Sequence, residues 1–397
     1  MYTPFLRYRM CLRLVLLSLC SIFMYASMSV AQTGQSDPIA FSFLQSLKDK
    51  GLIVTFIGPI TITDDILTID GLEGHLKTDG RKHFKFGSLA LSGASMETNN
   101  RLFISDFAAY KFEIDEPKFA FSADSILISD LYLSKPATQG DAISGLTSSL
   151  YSSAEILKLH FLDRSSGHSM PIERVTVTFD TANGGFPISA AIQVNAISLN
   201  QSVFGPPQQQ MLNALGHTQL TADIAFEGEW NGVTGQLNVE SASLVLRDLF
   251  TAQLSAKFKG LTETVLKQMA KLAAKDNVIA LDQLQNTAVS SFSLSLINNG
   301  GLDELLKQQA RKHNQSQDAY VRRLTEQAER QFGRIPDRAK SLEFTEAVYN
   351  FLQNPQNITV QATPKSPVSV IHILGVSAIS PLSIVSLLGI TLEANID

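Results

Sequence analysis

His75 and His83 flank Asp79-Gly80, and two imidazoles carried into register by a hairpin can clip a divalent ion. A two-residue Asp-Gly turn, however, pairs His75 with Phe84 and His83 with Leu76. The rings are then expected on opposite faces of the ribbon, and no metal site is expected. His160 and Asp163 sit in HFLDRSSGH with His168 close by, near enough in sequence for a base and the carboxylate that orients it. The expectation there is a strand edge followed by a solvated loop. Glu227 and Glu229 share one face of a strand about 7 Å apart by strand rise, a spacing that invites a paired-carboxylate reading. They lie opposite Ile224, Phe226 and Trp230, on the side where glutamates meet water, so catalysis is not expected. His372, in VSVIHIL, reads as a core histidine, and Trp230, the only tryptophan, as a core aromatic. There is no G-x-S-x-G, H-E-x-x-H, P-loop or dinucleotide fingerprint. The sequence therefore predicts no catalytic residue, no cofactor and no metal.

Four aspartates share a setting. ILISDL (126–131), LFISDF (102–107), LVLRDL (244–249) and ILTIDGL (66–72) each place an Asp after an apolar burst and before one more apolar residue. Asp side chains accept hydrogen bonds from backbone N–H groups two residues on and so end strands. Asp70, Asp106, Asp130 and Asp248 are expected to be corners of a repeated strand-turn unit.

The elements that must position these residues are mostly strands. Tyr110, Phe112 and Ile114 alternate with Lys111, Glu113 and Asp115, and Val175, Val177 and Phe179 with Thr176, Thr178 and Asp180. Leu220, Ala222, Ile224 and Phe226 alternate with polar residues, and Phe292, Leu294 and Leu296 with serines. Period two with one apolar face marks half-buried antiparallel strands. Asp79-Gly80 and Asn231-Gly232 read as hairpin turns. An opening helix has Asp37 as N-cap, Pro38 in its first turn and Gly51 past its end, with Phe41, Leu44 and Leu47 on one face. Pro206-Pro207 opens a short helix, and 302–354 is helical in three pieces: the second is capped by Ser316 with Val321, Leu324, Ala328 and Phe332 as its seam, and the third follows Pro336 with Phe344, Val348, Phe351 and Leu352. Strands return at Ile358–Ala362 and Val368–Ile373, then a helix capped at Ser380-Pro381 and a closing strand, Ile390–Ala394.

The first 31 residues carry Arg7, Arg9 and Arg13, an apolar run from Leu14 to Tyr25, and the small-x-small site Ser29-Val30-Ala31. That pattern predicts a cleaved signal peptide, cut between Ala31 and Gln32; the alternative is an uncleaved anchor in the inner membrane. Cleavage leaves 366 of the 397 residues and moves the formal charge from −5 to −8. Both cysteines, Cys11 and Cys20, leave with the segment, so neither a disulfide nor a thiolate nucleophile is expected. An acidic chain argues against nucleic acid as a partner. Three regions follow: 1–31 as signal peptide, 32–140 as an N-terminal β-meander with its opening helix, and 141–397 as a C-terminal β-rich region containing the helical segment 302–354. The fold class is α+β, mainly β, a long curved antiparallel meander with a helical insertion near the C-terminus.

The run of short amphipathic strands closing on [ILV]-x-D-[LF], with the blocks at 215–261 and 293–324, resembles the AsmA-like class of proteobacterial envelope proteins. The resemblance implies a long curled antiparallel sheet, lipid handling and a role in envelope maintenance. Against the acidic background, 302–340 carries Lys307, Arg311, Lys312, Arg322, Arg323, Arg330, Arg334, Arg338 and Lys340 with six acids. Lys307, Arg311, Lys312, Arg322, Arg323 and Arg330 are the candidates to face an anionic lipid headgroup or an acidic partner. The functional expectation is an exported, periplasmic, non-enzymatic protein that binds a lipid-like ligand or an envelope protein, with peripheral membrane contact. A purely structural envelope scaffold is the alternative and a hydrolase the third reading. The oligomeric state is not legible.

Overall fold

The computed structural model describes residues 37–77, 79–97, 101–133, 149–181, 187–266, 268 and 285–396. Ala31, Gln32 and the expected boundary at 140/141 lie outside these residues. The fold is α+β, mainly β: antiparallel meanders, with helices inserted toward the C-terminus. The chain forms two compact units, one running to Pro187 and including Val194–Gly205, the other comprising Ile188–Gln193 and Pro206 onward.

In the first unit, α1 (Pro38–Asp49) starts where the Asp37 carboxylate accepts from the Ile39 and Ala40 N–H groups at 2.8 and 2.9 Å. It buries Ala40, Phe43 and Leu47, with Leu44 packed against the same core, so of the expected face only Phe41 departs, at 51% exposed. Phe43 takes an inward position beside them, its ring tilted against Phe107 with centroids 6.1 Å apart. Burying Phe43 and Leu47 contributes about 1.5–3 kcal/mol each.

The strands follow as β1 (Leu52–Ile57), β2 (Ile60–Thr63), β3 (Ile66–Ile69), β4 (Leu72–Leu76), β5 (Asp79–Phe86), β6 (Ser88–Ser92), β7 (Ser95–Met96), β8 (Leu102–Asp115) and β9 (Phe119–Leu133). Next come β10 (Ser149–Leu150), β11 (Ser153–Asp163), β12 (His168–Thr181) and β13 (Pro187–Asn200). The long strand β8 pairs with β5, β6 and β7 along one edge and with β9 along the other. Strand β9 continues to β11, and β11 to β12. Ile69, Leu72, Leu91 and Ile104 are wholly buried at the centre of this unit's core.

The long strands do not keep a strict period of two. Buried positions on β8 run Leu102, Ile104, Phe107, Ala109, Phe112, and on β9 Ile128, Leu131, Leu133. Lys111 (φ 51°), Asp130 (φ 54°) and Lys158 (φ 50°) each fall inside a three-residue step between buried neighbours on their strand. A left-handed residue in a strand re-aims the next side chain, so the inward face is regained one residue late. Tyr110 is 45% exposed for this reason, against the alternation expected of it.

The slip also corrects the reading of the four aspartates. Asp70 and Asp248 are corners, Asp248 with φ 65° in the turn before the next strand. Asp106 lies within β8 and Asp130 within β9. Asp130 breaks the inward-outward alternation without shifting the register of the β8–β9 ladder, and its carboxylate accepts from the Ser152 hydroxyl at 2.7 Å.

The second unit opens with α2 (Pro206–Ala214) and a meander of β14 (Gln219–Asn231), β15 (Gln236–Leu246), β16 (Phe250–Lys259) and β17 (Ala288–Asn298), each paired with the next. The helices α3 (Gly301–Lys312), α4 (Gln317–Phe332) and α5 (Arg338–Gln353) stand between β17 and β18 (Asn357–Ala362), which pair directly. They form the expected three-piece insertion. Asn298 fixes its root: its side-chain oxygen accepts from the Gly300 and Leu302 N–H groups, and its amide donates to Asp303 and to the Pro355 carbonyl. Gly301 lies so close to Leu249 that a Cβ would approach the Leu249 Cα to 2.7 Å. Ser316 caps α4 through the Ala319 N–H, and Asp337 caps α5. Phe344 and Ala347 of α5 pack with Ile335, Val385 and Leu392.

Beyond β18 the run expected to be a strand from Val368 to Ile373 is a strand only at β19 (Val368–Ser369) and then α6 (Val370–Ile379). The Ser369 hydroxyl accepts from the His372 N–H, an N-cap that starts the helix where the pairing with β17 ends. A 3-10 turn, α7 (Ile384–Leu387) and β20 (Ile390–Ala394), paired with β18, close the chain.

Candidate functional site

The hairpin carrying the two histidines turns earlier than Asp79-Gly80. Leu76 pairs with Asp79, and Gly80, Arg81 and Lys82 form a bulge on β5 that brings His83 directly opposite His75. The two imidazoles therefore stand on the same face, edge to face, with centroids 6.2 Å apart. This overturns the expected placement on opposite faces, because the extra residues of the bulge restore the register that a two-residue turn would offset. His83 in turn stands opposite Asp115 on β8, whose carboxylate bonds Arg164. Among the described residues, no three His, Cys, Asp or Glu converge as a metal-binding group.

The His160–Asp163–His168 cluster does not assemble as a base and its orienter. Asp163 pairs with His168 across the β11–β12 turn, and its carboxylate takes the Ser165 and Ser166 hydroxyls and their N–H groups. Partial burial pushes this carboxyl up, but those serine bonds outweigh it and hold the group below the usual carboxylate range. His160 instead meets the Ser169 hydroxyl, Nε2 to Oγ 2.7 Å. Asp163 staples a turn.

Glu227 and Glu229 are exposed on β14, as expected, with a bulge between Glu227 and Gly228. Trp230 is half-buried, and its Nε1–H donates to the Leu261 carbonyl at 2.7 Å, which fixes the end of the strand. The next turn spans 232–235: the Asn231 side chain accepts from the Val233 and Thr234 N–H groups, and the positive φ belongs to Gly235, not to Asn231 or Gly232. His372 is exposed on α6 rather than in a core strand.

Lys307, Arg311 and Lys312 are exposed on α3, and Arg322 and Arg330 on α4. Among the described residues none of these five is in an ion pair. Arg323 differs. Its guanidinium lies 4.8 Å from the Tyr320 ring, which also stacks on His313 at 5.7 Å. Tyr320 is buried with Leu306 and Ala310, so Arg323 belongs to the packing of α3 against α4. The seam expected on α4 omits Tyr320, because a Tyr in a polar helix fits an exposed position as well as a buried one.

Helix α6 inverts the usual amphipathic rule. None of its residues is buried, and Leu374, Gly375, Ala378 and Ile379 are exposed, Ile379 to 89%. It belongs to a stretch from Ser366 to Leu392 without a single Asp, Glu, Lys or Arg, flanked by Lys365 and Glu393. No helix among the described residues is long and apolar enough to cross a membrane. The signal that could have found α6 is Ser369 ahead of an apolar run, an N-cap pattern that short apolar runs share with buried strands.

A protein-family model described only as an uncharacterized protein matches residues 243–395, a stretch from within β15 to the end of β20 that contains the helical insertion and α6. No curated protein matches the chain.

Proposed function

We propose that this chain is an exported, periplasmic, non-enzymatic protein of the cell envelope that binds lipid. In this reading α6 enters the interface of a bilayer and the cations of α3 and α4 meet anionic headgroups. The observation that carries the proposal is the exposed apolar face of α6 within an uncharged stretch. At 1.5 Å per residue, its ten residues measure about 15 Å, half the hydrocarbon thickness of a bilayer. That length suits a helix lying in one leaflet. Moving Leu374 and Ile379 out of water would contribute about 1.5–3 kcal/mol each. Each exposed cation near an anionic surface adds ~1 kcal/mol. The AsmA-like resemblance of the strand blocks agrees with a lipid-handling role, and the signal-peptide pattern of residues 1–31 with export.

Native mass spectrometry of the protein purified from the periplasm tests the proposal. The expected species begins at Gln32 and carries co-purified phospholipid. A lipid-free protein that also fails to sediment with anionic vesicles would leave the scaffold reading in its place.

A further inference from the structure

We propose that His75 and His83 form an exchangeable two-imidazole clip for a borderline divalent transition ion such as Cu2+, Ni2+ or Zn2+. The inference is independent of the lipid reading, since it concerns the other compact unit.

The geometry is that of a cross-strand chelate. The two residues are direct partners in the β4–β5 ladder, and the bulge that puts them there lies immediately beside them. Without Gly80, Arg81 and Lys82 looped out of register, the imidazoles would sit on opposite sides of the ribbon. Bulges recur beside functional positions because they re-aim side chains. Imidazole nitrogens bind these ions at about 2.0–2.1 Å, which sets the centroids of two rings on one ion about 5–6 Å apart. The observed 6.2 Å is within a small side-chain rotation of that distance. His83 is exposed and His75 half-buried, so an ion can reach both.

The local charges do not oppose a cation. Lys82 pairs with Glu116 at 3.0 Å, Lys85 with Glu73 at 2.9 Å and Arg81 with Asp79 at 3.1 Å. Asp115, opposite His83, supplies negative potential but is held by Arg164 and is not counted as a ligand. With two protein ligands, the remaining positions on the ion belong to water. Such a site captures and releases an ion; it does not hold the fold together. Imidazole ligation favours copper, nickel and zinc over magnesium or calcium, with Cu2+ the tightest.

The test uses the chain freed of any affinity tag, stripped with chelator and titrated with NiCl2, ZnCl2 and CuCl2 by calorimetry. Binding of one ion per chain is expected, strongest for Cu2+, with no response to MgCl2. His75→Gln and His83→Gln should each weaken it at least tenfold, while His160→Gln leaves it unchanged. A measurement that needs no variant is paramagnetic broadening of the imidazole proton signals by Ni2+ or Cu2+, expected first and together at His75 and His83. Absence of saturable binding at millimolar ion overturns the proposal. So does binding that survives both Gln variants, or broadening that begins at other histidines.

Discussion

Asp106 pairs with Ser129 across β8 and β9, so two copies of one motif, Ile104-Ser105-Asp106-Phe107 and Ile128-Ser129-Asp130-Leu131, lie antiparallel against each other. Ile104 meets Leu131 and Phe107 meets Ile128 at the ends of this match. The repeated Ile-Ser-Asp motif is thus a self-complementary patch of ladder. Its two aspartates are not equivalent, because only Asp130 has a left-handed backbone.

That asymmetry gives the first prediction. Asp130→Ala loses the Ser152 hydrogen bond and places a residue with no local compensation at φ 54°. It should cost about 1–2 kcal/mol in urea unfolding. Asp130→Asn, which tolerates the left-handed region, should cost less than half of that. Asp106→Ala should stay within about 0.5 kcal/mol. Equal costs at 106 and 130 would return both residues to a common role.

Lys50 supplies a pH-dependent test. It is 1% exposed at the end of α1, and burial lowers its pKa from 10.5 to about 8. Between these values the unfolded chain holds the proton that the folded chain has released, so stability rises with pH across that window. The penalty is fully present below pH 8 and gone above 10.5, and amounts to ~3 kcal/mol. Denaturation curves at pH 7.5 and 10 should show this rise relative to Lys50→Met, in which the extra slope is absent.

For the cationic helices, Arg311→Glu, Arg322→Glu and Arg330→Glu combined should weaken sedimentation with anionic vesicles by an order of magnitude or more. Raising salt should weaken wild-type binding in the same direction. Arg323 must be left intact in this experiment, because its contact with Tyr320 makes Arg323→Glu a stability variant, at a cost of about 1 kcal/mol. Undiminished vesicle binding by the triple variant at low salt would reduce these residues to a solvated face.

The apolar helix makes a separable prediction. Leu374→Asp with Ile379→Asp should abolish binding to neutral and anionic vesicles alike. Thermal unfolding should hardly change, since neither side chain is buried in the fold. A large loss of stability would mean that α6 is covered by another part of the protein.

Legibility in the sequence followed the range of the forces involved. The pieces of the helical insertion could be read from Ser316, Pro336 and the spacing of Val321, Leu324 and Phe344, since caps and apolar stripes are local signals. The hairpin at His75 could not, because its register depends on a bulge of Gly80, Arg81 and Lys82 that no short pattern announces. The strand expected at Val368–Ile373 failed for a related reason. Val, Ile and Leu in a short run fit a strand or a helix equally, and the length of available partner on β17 decided between them. The roles of Asp106 and Asp130 differ through a backbone angle that the shared Ile-Ser-Asp sequence does not encode.

The phase slips in β8, β9 and β11 also bear on self-association. A fibril grows when identical strands stack in register and present one continuous dry face to the next layer. A segment such as Leu102–Phe112 cannot do so as it stands, because its apolar positions cross from one side to the other at each three-residue step. Flattened for stacking, it would hold part of its apolar row in water. The three-residue steps within these strands therefore act as a brake on amyloid templating in a protein rich in β-structure.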